Sequence, residues 1–327
     1  MTTDFGTTPT TVSTPETGGK LLLAASTGGH LAQLVRLAPG LGATDDSLWV
    51  TFRTPQSESL LKGRNVLYVP YIRPRDAANV VRAYQSIRAA IKNTHFDGAV
   101  STGSALALAA LPAAKLGGLP TLYIESVSRV DGPSLSGRIL DKFRLAELRT
   151  QHPHWSSGRW GVHPSVLSTF HNVQKPKPAD GRLKLFVTLG TIEGYGFDSL
   201  VDRIVDLGIA GDDTTWQLGY TEAKRDLPGT AHAQVSAEDF ERYAREADVV
   251  ITHAGVGTVL GLLEMDISPI AVVRRRDRGE HVDNHQEQIA RLMSELGIGT
   301  STEVEDLTSD MIHAAAMTGI RGDLAAA

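Results

Sequence analysis

Short apolar runs rich in β-branched and aromatic residues recur along this chain, and helical patterns separate most of them. In the first half they are KLLLAAS from Lys20, SLWVTF from Ser47, VLYVPY from Val66, DGAVST from Asp97 and PTLYIES from Pro120. In the second half they are LKLFVTLG, TTWQLGY, AHAQVS, ADVVITH and SPIAVVR. A short strand that is apolar throughout has both faces covered, and strands alternating with helices imply parallel sheets layered between helices. The expected fold class is α/β, with two Rossmann-like doubly wound domains facing each other across a cleft. Open parallel sheets bind ligands at the carboxyl ends of their strands, so the chemistry is expected at the strand-to-helix corners.

At 327 residues the chain is long for one core and sufficient for two domains of about 150 residues. Residues 1–19, threonine-rich and nearly free of large apolar groups, read as a disordered leader without the basic start and apolar run of a signal peptide. Residues 20–172 form the first domain, 173–182 a polar linker within the proline-containing stretch FHNVQKPKPADGR, and 183–327 the second domain. The longest charge-free run, Gly98 to Ala114, is shorter than the roughly 20 apolar residues a bilayer demands and contains Pro112. It reads as a buried strand, turn and helix rather than a span. The absence of cysteine excludes disulfides, thiolate metal sites and a cysteine nucleophile, and fits a cytoplasmic location. Net charge is −5, but residues 20–172 carry +8 and residues 183–327 carry −13. Either the two domains simply differ in composition, or the first meets something anionic.

The first corner is AASTGGHLAQLVRL. Gly28 and Gly29 turn the chain into a helix whose Leu31, Leu34, Val35 and Ala38 form a buried stripe. Glycines there let backbone N–H groups approach an anion at a helix N-terminus. His30 falls in the first helical turn, where the dipole disfavours its protonated form. It is either a general base toward a sugar hydroxyl or a residue that caps the helix. The second half repeats the pattern at Gly190 and Thr191, and again at ADVVITHAGVGTVLGLLE, with His253, Gly255, Gly257 and Thr258 at the turn. Gly257, Gly261 and Glu264 share one helix face, which suits either a carboxylate over ribose hydroxyls or close helix packing. His281 and His285 have zinc-pair spacing, but Val282 and the lack of a third ligand argue against a metal site. Asn284, His285 and Gln286 instead offer the neutral donors and acceptors that sugar recognition needs. Arg274, Arg275, Arg276 and Arg278 make a basic run in an acidic half, which suits a solvated face or phosphate pairing.

Taken in order, these corners resemble the GT-B fold UDP-sugar glycosyltransferases of the family 28 type. STGGHLAQL, STGSALALAA and YIESVSRVDGPSLSGRIL resemble the membrane-associated acceptor subunit of the two-subunit UDP-GlcNAc transferase of lipid-linked oligosaccharide synthesis. LFVTLGT, FDSLV, WQLGY, ADVVITHAGVGT and VDNHQ resemble its catalytic subunit, so that both are fused here. The chain is also similar to the peptidoglycan UDP-GlcNAc transferases. The resemblance covers roughly residues 20 to 300. It implies donor contacts at Gly190, Thr191, Gln217, His253, Gly255, Gly257, Thr258, Glu264, His285 and Gln286. It implies acceptor contacts at Gly28, Gly29, Thr102, Gly103, Ser126 and Arg129, with His30 or Glu125 as base. Two departures bear on the donor sugar. The family's ribose-binding glutamate falls where Gly261 stands, one turn before Glu264, and Ile289 stands where the peptidoglycan enzymes carry asparagine.

The expected activity is inverting transfer of a hexosamine or hexose, UDP-GlcNAc first, to a lipid-diphosphate-linked saccharide in cell-surface glycan synthesis. No metal or other cofactor is expected, since no Asp-x-Asp motif lies near the corners. Arg129, Arg138, Lys142, Arg144 and Arg149 surround the amphipathic stretch GRILDKFRLAELR, and predict peripheral contact with an anionic membrane at the cytoplasmic face of the plasma membrane. No nucleic-acid partner is expected. A soluble natural-product glycosyltransferase, a UDP-sugar epimerase and a non-catalytic UDP-sugar-binding partner are the alternatives.

Overall fold

A computed structural model describes residues 19–73, 76–177, 182–191, 194–280 and 285–322. The first half forms a parallel sheet of seven strands: β1 (Leu21–Ala25), β2 (Leu48–Thr51), β3 (Asn65–Tyr68), β4 (Gly98–Gly103), β5 (Thr121–Ile124), β6 (Glu147–Thr150) and β7 (Trp160–Val162). Helices α1 (Gly29–Leu37), α2 (Pro55–Leu60), α3 (Ala77–Ile91), α4 (Ala107–Leu116) and α5 (Leu135–Lys142) connect them. The strand order β3-β2-β1-β4-β5-β6-β7 reverses direction between β1 and β4. That switch point opens a crevice at the carboxyl ends of these two strands. The charge-free run Gly98 to Ala114 supplies β4, a turn and α4, whose Ala109, Ala110, Leu111 and Ala113 are wholly buried. Among the described residues no helix is long and apolar enough to cross a membrane.

The chain then forms β8 (Phe170–Gln174) and enters a second parallel sheet: β9 (Leu185–Thr188), β10 (Thr215–Gln217), β11 (Thr230–His232), β12 (Val249–His253), β13 (Ile270–Val272) and β14 (Thr300–Thr302). Its helices are α6 (Asp198–Asp206), α7 (Ala237–Glu246), α8 (Val256–Glu264), α9 (His285–Leu296) and α10 (Ser309–Ala316). The order β11-β10-β9-β12-β13-β14 places the second switch point between β9 and β12. A final strand, β15 (Thr318–Gly322), returns to pair antiparallel with β8. All ten strands expected from sequence form, and β6, β7, β8, β14 and β15 add to them. Phe170–Gln174, read from sequence as linker-like, is therefore a strand, satisfied by a partner nearly 150 residues away. The expected leader, residues 1–18, lies outside the described residues.

The halves share a core. Leu31, Leu34 and Leu37 of α1 pack with Val259, Leu260 and Leu263 of α8, Ile289 and Met293 of α9, Phe170 of β8 and Ile320 of β15. Burying side chains of this size contributes roughly 1.5–3 kcal/mol each.

Candidate active site

β1 ends at Ala25, and Gly28, at φ 86°, makes a bend that costs an L-residue strain, so that α1 can start at Gly29. His30 in the first turn of α1 lies over the end of the neighbouring strand β4. Its Nδ1 donates to the Thr102 carbonyl at 2.8 Å, and Thr102 Oγ1 donates back to the His30 carbonyl at 2.7 Å. A carbonyl only accepts, so Nδ1 carries the hydrogen and Nε2 holds the lone pair. Gly103, at φ 123°, makes room: a methyl group there would lie within 3.1 Å of the imidazole and of the Tyr123 hydroxyl. Burial pulls the pKa of His30 below its ordinary value, and the nearby Arg129 cation acts in the same direction. The ring is therefore neutral at neutral pH and has the electronic form of a base.

Glu125 is differently placed. It is 1 % exposed, and its Oε1 accepts from the Tyr123 hydroxyl at 2.9 Å and the Ser126 amide at 3.2 Å. Oε2 accepts from the Ser134 amide at 2.8 Å. Three donors on a buried carboxylate make it an anchor for the turn into α5, and burial beside it pushes the Tyr123 phenol well up. Ser126 is likewise internal, bonding Gln33 Nε2 and Ser128 Oγ at 3.0 Å each.

In the second domain β12 delivers His253, and its imidazole folds against Gly255, where a methyl group would come within 2.3 Å of Nε2. Helix α8 begins there. Whereas Asp76, Ser134, Ser236 and Thr308 cap α3, α5, α7 and α10 with their side chains, α1 and α8 both follow a glycine, Gly28 and Gly255, with no side-chain cap. Their first-turn N–H groups remain available to an anion. The two starts also touch: a methyl on Gly257 would lie 3.1 Å from the Gly29 amide, and one on Gly29 would lie 3.2 Å from the Gly257 amide. Seven residues on, Arg36 meets Glu264. Helices α1 and α8 thus run side by side in the same direction, with both positive ends at one point.

Residues 217–316 match the model of the glycosyltransferase family 28 C-terminal domain. The match covers 100 of the 327 residues, from the end of β10 to the end of α10, all within the second half. Among solved structures, MurG of Acinetobacter baumannii is similar at 20% identity, covering 90% of this chain and 89% of that one with a TM-score of 0.54. The glycosyltransferase SnogD from Streptomyces nogalater is similar at 20% identity, 91% and 93% coverage, and a TM-score of 0.54. A putative UDP-N-acetylglucosamine 2-epimerase from Listeria monocytogenes has 15% identity, 94% coverage of each chain and the same TM-score of 0.54. At such identities these likenesses establish the GT-B fold. No curated protein matches the chain in sequence.

The glycine corners gather at the switch points. Gly28 leads into Gly29, which lies against Gly257, with Thr258 next in the chain. His30 lies against Thr102 and Gly103, and His253 against Gly255, with Gly190 and Thr191 following β9, the strand beside β12. Two expected donor contacts sit deeper at the strand ends. Gln217 donates to Thr188 Oγ1 at 3.0 Å, and Gln286 Oε1 accepts from the Arg274 amide at 3.4 Å. Glu264 takes a different position from the one expected. Its carboxylate is bonded to Arg36 at 2.6 Å, about 10 Å of helix beyond the Gly257 corner. The Arg36 guanidinium is buried, donates to Thr169 Oγ1 and stacks on Phe170 at 3.9 Å, so the carboxylate serves as its counter-ion. Around Gly261 a methyl group would meet nothing within 4 Å. The side chain of His285, and His281, Val282 and Asn284, lie outside the described residues. Among the described residues no three His, Asp or Glu side chains form a metal cluster.

Sequence reasoning missed a buried polar network within the first half and a polar bridge between the halves. Gln33, wholly buried, bonds the Gly29 carbonyl, Ser126 Oγ and the Val127 amide, and also accepts from Gln151 at 3.1 Å. Asp131 bridges to Gln288 at 2.6 Å and Arg291 at 2.9 Å across the halves. A signal was present for the first: Gln33 and Arg36 are long polar residues on an otherwise apolar helix.

Proposed function

We propose that the chain is an inverting transferase that moves a hexosamine or hexose, UDP-GlcNAc first, from its UDP donor to a saccharide carried on a lipid diphosphate. The observation that carries the reading is the His30 imidazole, held as the Nδ1–H tautomer beside two converging helix N-termini. An acceptor hydroxyl gives its proton to Nε2 while its oxygen attacks the anomeric carbon from the face opposite UDP. The bond from that carbon to the diphosphate oxygen breaks, and its electron pair leaves with UDP. Backbone N–H groups at the starts of α1 and α8 meet the charge that develops. Glu125, saturated by three donors, positions the acceptor loop.

The lipid-linked acceptor is supported by one surface of the first domain. Leu116, Leu135 and Phe143 are 70%, 73% and 62% exposed, and Lys115, Arg138, Lys142 and Arg144 are exposed around them. Lys115 Nζ bonds the Arg144 carbonyl, so the apolar and basic groups of α4 and α5 share one patch. Apolar side chains ringed by cations suit the cytoplasmic face of an anionic membrane. Activity is expected to survive a chelator.

Incubation with radiolabelled UDP-sugars and a membrane lipid extract tests the reading. Labelled lipid is expected, most strongly from UDP-GlcNAc. Free sugar as the product, a labelled water-soluble glycoside, or no turnover with UDP-sugar bound would each overturn it.

A further inference from the structure

The basic run at 274 to 278 is divided by its surroundings. Arg275 pairs with Glu303 and Glu287 at 2.7 Å each, and Arg278 with Glu305 at 2.9 Å. Arg274 points inward. Its side chain is 0 % exposed, and among the described residues none of its three guanidinium nitrogens has a hydrogen-bond partner. The carboxylate whose charge it feels, Glu280, is committed elsewhere, accepting from Ser199 Oγ at 2.5 Å and the Arg275 amide at 2.9 Å. The ring of Phe197 lies 5.3 Å from the guanidinium carbon. Burial draws the pKa of Arg274 down to about 10, which still leaves the group charged at neutral pH. A buried cation with no partner is among the costliest arrangements a fold can keep.

Its position suggests why it is kept. A methyl group on Gly190 would come within 2.7 Å of both terminal guanidinium nitrogens, so the arginine occupies the space a side chain at 190 would need. On the other side Gly219 presses against the Gly190 carbonyl, where a methyl would come within 2.1 Å of the oxygen. The Gly190 peptide is a thin wall, with the cation behind it and the donor corner, at exposed Thr191, in front.

We propose that Arg274 is the anion receptor of the donor site, and that its missing counter-charge is supplied by a diphosphate held at the Gly190–Thr191 corner. This rests on the UDP-donor reading above for the identity of the anion. Acting through one peptide layer, Arg274 positions the leaving group and lowers the cost of its charge without needing exposure. Two unit charges about 6 Å apart at an effective dielectric near 20 attract strongly enough to change affinity about 100-fold. The same charge, unpaired, weakens the ligand-free fold.

Calorimetric titration of the full chain with UDP, uridine and inorganic pyrophosphate, with thermal midpoints before and after UDP, tests this. Arg274→Met is expected to bind UDP about 30- to 100-fold more weakly, to bind uridine as the parent does, and to melt at a higher temperature without ligand. Pyrophosphate binding should fall with UDP binding. Equal UDP affinity in parent and variant would overturn the proposal, leaving Arg274 a packing residue. So would equal losses for UDP and uridine, which mark a disturbed fold. If the parent binds pyrophosphate through Arg274 but shows no preference for UDP, the receptor stands and the UDP reading falls. If the parent binds neither anion, the proposal fails. Arg274→Lys covers the case of a poorly folding Met variant: it keeps the charge, so UDP affinity should fall by no more than about tenfold with uridine unchanged.

Discussion

Arg36 and Glu264, 228 residues apart, form a 2.6 Å ion pair between two parallel helices whose other ends touch at Gly29 and Gly257. The arginine side chain is 3% exposed and the glutamate 43%. Glu264→Ala strands a buried guanidinium and is expected to cost about 2 kcal/mol, between an exposed pair and a fully buried one. Urea denaturation measures it. UDP affinity should be unchanged, and a variant that keeps its stability but loses UDP would return Glu264 to the ribose.

His30→Ala should lower kcat by about 10²- to 10⁴-fold with little change in KM, the signature of a lost base. The pH profile adds a sign. The base works when unprotonated, and burial lowers its pKa below 6.5. The acid limb of kcat/KM should therefore fall below pH 6.5, with full activity at pH 7, and should vanish in the variant. An acid limb above pH 7 would contradict the assignment.

The glycines of the two helix starts are not equivalent to the glycine inside α8. Gly257→Ala places a methyl 3.1 Å from the Gly29 amide and should push the starts apart, weakening UDP binding. Gly261→Ala enters open space within a helix and should stabilise the protein by about 0.5–1 kcal/mol. Thermal melts and UDP titration of the two variants should move in opposite directions.

Charge reversal at Lys142 and Arg144, two exposed cations beside Phe143, should abolish sedimentation with phosphatidylserine vesicles at low salt. Turnover of a short-chain, water-soluble acceptor analogue should persist. Unchanged vesicle binding would remove this face from the membrane contact.

The glycine corners and the strands of the sheet interiors were legible because each is written locally: continuous apolar residues, then a turn, then a helical stripe. The five added strands were not. Glu147–Thr150 has three polar residues of four, lying toward one edge of its sheet, and Phe170–Gln174 is a strand only because Thr318–Gly322 completes it. The site followed the same division. Gly28, His30 and Gly257 declare themselves by position in a motif. The pairing of Glu264 with Arg36, the saturation of Glu125 and the isolation of Arg274 depend on which distant groups share the space, which a linear pattern does not encode.

The β8–β15 ribbon has a mechanical consequence. β8, through which the chain leaves the first half, is laced by hydrogen bonds to β15, which follows α10 of the second half. A single tether lets its ends swivel, whereas a laced pair bends about one axis and resists torsion. Any movement between the halves is therefore expected to follow one arc, like a book on its spine, with Gly29 and Gly257 kept in the same alignment.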